Sequence, residues 1–295
     1  MHSDNDPYLE FLRDRTNKLF YRLPYPGNAG DSLIQRATQR ILDDLSIRTT
    51  VDPREADVIL VPGGNPTMWP SIGPQNWRKL WTRHPKTEFV VGPAGFRSGY
   101  SDWARVVNDD GAAVAALFAR DPDSFRNLMA AQLRPDVVCA LSHDPALYLR
   151  DSEWLAAHRR ASSEDYDLAA FRDDIETNLG FDSSGWFQSA LPGRVRDFLV
   201  RGRARAVASR KTKLAAQLSG GSVPLLCNDV SRQRFEVFVM MTRAARAVHT
   251  DRLHVMLLAA LLGKKIFAYP TSHAKLEGVY HHSLKDWADV TFVAM

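Results

Sequence analysis

Pro26-Gly27-Asn28-Ala29-Gly30-Asp31 is followed by Leu33, Ala37, Ile41 and Leu45, spaced four apart, with Ile34 and Leu42 beside them. Apolar residues at that period line one face of a helix, so the stretch predicts an amphipathic helix over 32–45. It is entered through a glycine-bearing turn from the apolar residues that begin at Phe20. A strand, a turn and a helix in that order form the repeating unit of a parallel sheet covered on both faces.

The same alternation continues downstream. Strands are expected at 57–61, 88–91, 114–119 and 137–141, ending at Pro62-Gly63-Gly64-Asn65, Gly92-Pro93, Arg120-Asp121 and His143-Asp144. Residues 149–165 carry mixed charges and no strand pattern, and read as the crossover between domains. The pattern restarts at 168–171, 222–227, 244–248 and 265–269. The predicted fold is α/β, with two Rossmann-like domains, 1–155 and 156–295, facing each other across a cleft. Loops at the carboxyl ends of such strands line the ligand crevice, so these turns are where chemistry is expected.

Composition narrows the class. The 295 residues are 45% apolar and 24% charged, values of a globular chain long enough for two cores. The longest apolar run, 255–262, is shorter than the roughly 20 residues a membrane span needs, and the polar N-terminus predicts a cytosolic protein. Cys139 and Cys227 sit in apolar strand-like runs and are expected as buried free thiols. A formal charge of +4 favours anionic partners, but without the aromatic and basic platforms of a nucleic-acid binder.

Thr250-Asp251-Arg252-Leu253-His254 opens the most apolar helix of the chain. Thr250 suits an N-cap, Asp251 suits the positive end of the helix dipole, and Gly263 can close the C-terminus. An anion at that helix start would meet backbone N–H groups, the Arg252 guanidinium and the His254 imidazole together. The plainer alternative is that Asp251 and Arg252 cap and solvate a core helix around a satisfied histidine. For Asn28, Gly30 and Asp31 the alternatives are a ligand-approaching turn and a connection in which Asp31 is the N-cap. No Walker lysine and no full dinucleotide fingerprint is present there.

These turns, read in order, resemble the polysaccharide pyruvyl transferases: Gly27-Asn28-Ala29-Gly30-Asp31, Pro62-Gly63-Gly64-Asn65, Arg120-Asp121-Pro122-Asp123-Ser124, Arg172-Asp173-Asp174-Ile175-Glu176 and Thr250-Asp251-Arg252-Leu253-His254. The resemblance runs from about Tyr21 to Leu284. It implies a GT-B-like pair of domains and transfer of a pyruvyl group from phosphoenolpyruvate to two hydroxyls of one sugar in an exopolysaccharide or cell-surface glycan precursor, closing a cyclic ketal. It also implies a donor site in the second domain centred on Arg252, Leu253 and His254, with Arg172 beside them.

The chemistry asks for the same residue types. Phosphoenolpyruvate carries a carboxylate and a phosphate, which two arginines and a helix N-terminus can neutralise. Attack at C2 needs a proton at C3, which a histidine can supply. His254, Arg252 and Asp31 are therefore the expected catalytic residues, with Asp31 or Asp121 as base or acceptor-orienting carboxylate. Arg172, Leu253, Asn28, Asp121 and His249 are the expected substrate contacts, although His249 reads equally as a structural strand-end histidine. No cofactor beyond the donor is expected, and no metal, since His143, His273, His281 and His282 lack metal-ligand spacing and the 281–282 doublet reads as exposed helix surface.

Arg194, Arg196, Arg201, Arg203, Arg205, Arg210, Lys211 and Lys213 form a basic run. It reads as a solvated helix face, or as attraction to an anionic inner membrane surface bearing a lipid-linked acceptor. Two other functions stay open: a GT-B glycosyltransferase with a nucleotide-sugar donor, which would need a ribose-binding carboxylate at the second-domain strand ends, and a non-catalytic binding protein that kept the fold.

Overall fold

The computed structural model describes residues 5–24, 27–68, 73–97, 103–110, 113–161, 163–172, 193–271 and 274–295. The chain divides into two compact units: Met1–Gly27, Asp31–Asp151 and His281–Ser283 in the first, Asn28–Gly30, Ser152–Tyr280 and Leu284–Met295 in the second. Each is built on its own parallel sheet, so the chain is α/β throughout.

The first unit runs α1 (Pro7–Arg13), β1 (Leu19–Arg22), α2 (Ala29–Asp44), β2 (Arg48–Thr50), β3 (Val58–Val61), α3 (Pro74–Arg83), β4 (Glu88–Ala94), α4 (Trp103–Asp110), β5 (Val114–Ala119), α5 (Pro122–Ala130) and β6 (Val138–Leu141). Its sheet order is β2-β1-β3-β4-β5-β6. Strand residues alternate between two cores, as the period of two requires. Ile59, Val61, Phe89, Val91 and Leu117 pack with Trp77, Trp81, Trp103 and Val107. Val58, Leu60, Val90, Ala116 and Phe118 pack with Tyr8, Phe11, Ile41 and Leu42 on the other face. Both faces are therefore covered by helices, the condition for a parallel sheet.

Two elements here differ from expectation. Pro93 does not end its strand: β4 continues to Ala94, which pairs with Ala119 after a register shift, so the proline sits at an irregularity where no ladder donor is needed. The helix after the first turn begins at Ala29, three residues before Ser32, so Asp31 lies in its first turn and is not its cap.

At the carboxyl edge of this sheet, Arg120 is buried beside Asp144, Nη1 to Oδ2 at 2.8 Å, and its Nη2 donates to Asn65 Oδ1 at 2.9 Å. Asp121 is the N-cap of α5, accepting from the backbone N–H and the hydroxyl of Ser124, both at 2.8 Å. Ser142 and His143 follow β6. The His143 ring stacks on His282 at 4.8 Å, so His282 is half-buried and only His281 of the doublet is exposed. His273 lies outside the described residues.

The second unit contains α6 (Glu153–Arg160), β7 (Tyr166–Ala170), α7 (Gly193–Ser219), β8 (Leu225–Cys227), α8 (Phe235–Ala244), β9 (Ala245–Thr250), α9 (Leu253–Leu261), β10 (Lys265–Ala268), α10 (Lys275–Val279) and β11 (Val290–Phe292), in sheet order β11-β10-β9-β7-β8. The 149–165 stretch holds a helix, α6, started by Ser152, whose hydroxyl accepts from Leu155 N at 3.0 Å. Every residue of α9 except His254 is buried, which explains its unbroken apolar run. Gly263 follows it at φ +73°, the left-handed turn that closes a helix. Cys139 and Cys227 are free thiols, but only half-buried and exposed respectively, because β6 and β8 are edge strands. Among the described residues no helix is long and apolar enough to cross a membrane.

Asp144→Ala would leave the Arg120 guanidinium buried without its carboxylate and remove the cap that accepts from Ala146 N. Removing one partner of such a pair costs about 3–5 kcal/mol. Urea unfolding followed by tryptophan fluorescence should show that loss, the indoles of Trp77, Trp81 and Trp103 being in the same unit.

Candidate active site

The carboxyl ends of β7, β9 and β10 meet around one carboxylate. Asp251 is fully buried; its Oδ1 accepts from the backbone N–H of Arg172 at 2.9 Å and its Oδ2 lies 2.6 Å from Lys211 Nζ, also fully buried. Lys211 further donates to the carbonyl of Pro270 at 2.9 Å. Burial pushes the Asp251 carboxyl up, and Lys211, then Arg172, pull it back toward ionisation. Asp251 is thus a core ion-pair partner and not the solvated residue expected at a helix dipole.

Thr250 is likewise the last residue of β9 and not the cap of α9. Its hydroxyl donates to the Ala170 carbonyl at 2.8 Å and accepts from Arg252 N at 3.0 Å, stitching the end of β9 to that of β7. The N-cap is Arg252, extended at φ −104° and ψ 122°, with no side-chain hydrogen bond to the first turn. Arg252 is 7% exposed, and its guanidinium pairs with Asp229, which also meets Arg232 at 3.1 Å. Leu253 is buried and His254 is the half-buried residue that follows it.

The first turn of the sequence reaches this place. Residues Asn28–Gly30 group with the second unit, and a Cβ on Gly30 would lie 2.4 Å from His254 Nδ1 and 2.7 Å from its Cβ. The His254 side chain therefore packs against bare backbone. Asn28 Oδ1 accepts from Gly30 N at 2.8 Å and fixes that turn. A Cβ on Gly27 would lie 2.1 Å from Asp31 Oδ2, so the first glycine of the motif makes the same allowance for the aspartate.

The second unit therefore brings together Asn28, Arg172, Arg252, Leu253 and His254. Asp31 and Asp121 group with the first unit, and the Asp121 carboxylate is occupied as a cap. His249 lies behind the site and not in it: it is fully buried within β9, stacked on Phe267 at 4.5 Å, with Nδ1 3.1 Å from the Tyr269 hydroxyl. Burial lowers its pKa to about 4, so it is neutral near pH 7. Lys211 and Asp229 were not singled out from sequence. Lys211 had a signal, lying with Ala204, Ala208 and Ala215 on one helical face. Among the described residues no three histidine, cysteine or carboxylate groups gather as metal ligands, and Asp173, Asp174 and Glu176 lie outside those residues.

Two parallel sheets built of alternating strands and helices define an α/β protein of the doubly wound kind. The polysaccharide pyruvyl transferase model matches residues 28–183, more than half of the chain, and the chain belongs to that family. The matched span holds Asn28–Asp31 of the first turn, the Arg120-Asp121 turn and Arg172, and ends before Arg252 and His254. Among solved structures, protein KP1_0663 from Klebsiella pneumoniae subsp. pneumoniae NTUH-K2044 superposes with a TM-score of 0.65 at 18% identity, covering 98% of this chain and 97% of that one. That likeness shows a shared fold. The UDP-GlcNAc 2-epimerase of Methanocaldococcus jannaschii follows at a TM-score of 0.43 and 12% identity, over 94% and 88% of the two chains. No curated protein matches the chain.

Two outcomes follow from this geometry. An alanine at Gly30 must displace His254 or α9 itself, and overpacking of this kind costs about 1–3 kcal/mol. Gly202→Ala, with nothing within 4 Å in the middle of α7, should instead raise stability by up to about 1 kcal/mol. Thermal melts of the two variants should move in opposite directions. For His249, the folded pKa near 4 lies below an unfolded value near 6.5. The unfolded chain therefore binds the extra proton, and the residue's stability contribution, whole above pH 6.5, is lost as pH falls toward 4. His249→Phe should remove that loss, on the order of 3 kcal/mol of unfolding free energy between pH 6.5 and 4, read from urea titrations across that range.

Proposed function

We propose that the chain transfers a pyruvyl group from phosphoenolpyruvate to two hydroxyls of one sugar residue in a surface-polysaccharide precursor, closing a cyclic ketal. The supporting observation is the Arg252-Leu253-His254 start of α9: an uncapped helix N-terminus, a nearly buried guanidinium and a half-buried imidazole, with Arg172 tied by its backbone to the adjacent Asp251. Arg252 and Arg172 bind the carboxylate and phosphate of the donor, where bidentate guanidinium geometry suits both groups. Leu253 offers its backbone N–H from the first turn.

In the first step a sugar hydroxyl oxygen bonds to C2 of the enol, and the C2–C3 π pair takes a proton at C3 from His254, turning the methylene into a methyl group. In the second, the other hydroxyl bonds to C2, the C2–O bond to phosphate breaks, and inorganic phosphate leaves with that electron pair. The proton of the first hydroxyl balances the one His254 gives to C3, that of the second leaves with the phosphate, and Asn28 orients the acceptor. A lipid-linked sugar brought near an anionic membrane surface by the exposed Arg205, Arg210 and Lys213 of α7 is the acceptor form we propose.

A nucleotide-sugar donor fits less well. It calls for a carboxylate to hold the ribose hydroxyls, and the two carboxylates described at these strand ends are engaged, Asp251 by Lys211 and Asp229 by Arg252.

Phosphate release from phosphoenolpyruvate should appear with one or more members of a sugar and lipid-linked acceptor panel and with no UDP-sugar turnover. His254→Ala should lower kcat by about 100-fold or more with KM for the donor nearly kept, whereas Arg252→Ala should raise that KM. Turnover of a nucleotide sugar, or full activity in His254→Ala, would contradict the assignment.

A further inference from the structure

We propose that Lys211 is a positioning residue of the donor site, acting through Asp251 on Arg172 and on the start of α9; this rests on the phosphoenolpyruvate reading above. Lys211 comes from the long helix α7, 40 residues before Asp251, and reaches the loop that follows β9. Its ammonium has no solvent exposure and bonds two of the three loops that shape the site, at Asp251 and Pro270. Asp251 joins the third through Arg172 N and is itself the residue before the helix cap.

The role follows from charge as much as from shape. Asp251 stands within electrostatic reach of Arg172. A carboxylate without water must take a cation, and the nearest are Lys211 and Arg172. With Lys211 in place, the Asp251 charge is answered inside the core at 2.6 Å, and Arg172 meets the same carboxylate through its backbone N–H. Without Lys211, Asp251 competes with the donor for Arg172, and the loops after β7 and β10 lose their common tie. A buried ion pair adds little net stability over an apolar pair of the same volume, so its presence here is explained by the placement of Arg172 and of the start of α9.

Calorimetric titration of the full chain with phosphoenolpyruvate tests this, each variant being held well below its melting midpoint. Wild type should bind. Lys211→Met should weaken binding at least about tenfold, and Lys211→Met/Asp251→Asn, which removes both charges and keeps an acceptor for Arg172 N, should recover most of the affinity. Arg246→Met breaks a more exposed pair with Asp167 at the opposite, amino edge of the same sheet, where Nη2 and Oδ2 are 2.7 Å apart. It should bind within about twofold of wild type, which separates positioning from a general loss of stability.

Equal binding by Lys211→Met, or equal weakening by Arg246→Met, overturns the role of Lys211 while leaving the donor reading intact. If Lys211→Met does not fold, the double variant decides: affinity near wild type supports the proposal and its loss overturns it. A folded wild type that takes up no phosphoenolpyruvate overturns the donor reading, and this role with it.

Discussion

A carboxylate cut off from water has to be answered by a cation and by donors, and Asp251 obtains them from two directions, Lys211 on α7 and the backbone N–H of Arg172 after β7, while Lys211 also donates to the carbonyl of Pro270 after β10. Desolvating two charges is expensive, and only close contacts offset it. Few arrangements of these loops satisfy all those contacts. Arg252, Leu253 and His254 follow Asp251 directly, so the geometry of the candidate site is set by a pair that itself touches no solvent.

A second constraint arrives from the other end of the sequence. Residues Asn28–Gly30 pack with the second unit, and the His254 side chain occupies the space that a side chain at residue 30 would fill. Gly27 yields in the same way to Asp31. The spacing of the two glycines, read from sequence as a permissive turn, is better explained by two side chains that need bare backbone beside them. In α9 the remaining residues are all buried, so the helix cannot rotate to relieve a clash without exposing Val255, Leu257 or Leu258.

Patterns of local period were legible. The strands at 58–61 and 114–119, the helix from the first turn and the closing Gly263 follow from apolar spacing and turn chemistry that neighbours do not override. The short edge strands β2 and β11 carry too few residues to show a period. Charges were misread where long-range pairing decides their burial. Asp251 looked like a solvated dipole partner and Lys211 like one cation in a solvated face, because neither shows its partner 40 positions away. The alanines at 204, 208 and 215 were the one local hint that the lysine faces inward. Cys227 erred in the opposite sense, since an apolar run does not reveal that its strand lies at an edge.

The balance of charge at the carboxyl edge of the second sheet bears on what can bind there. Arg172, Lys211, Arg232 and Arg252 are the cations of the described network, and Asp229 and Asp251 are its carboxylates. Lys211 and Asp251 cancel within the core, and Asp229 is shared by two guanidinium groups. Arg172 and Arg252 thus stand at the same strand ends as the N-terminus of α9, whose first turn has no side-chain cap. A small donor with separated carboxylate and phosphate groups can answer each arginine in turn and leave C3 to the imidazole. A neutral sugar offers no charge to either arginine, which is why the proposed reading gives this edge to the anionic donor.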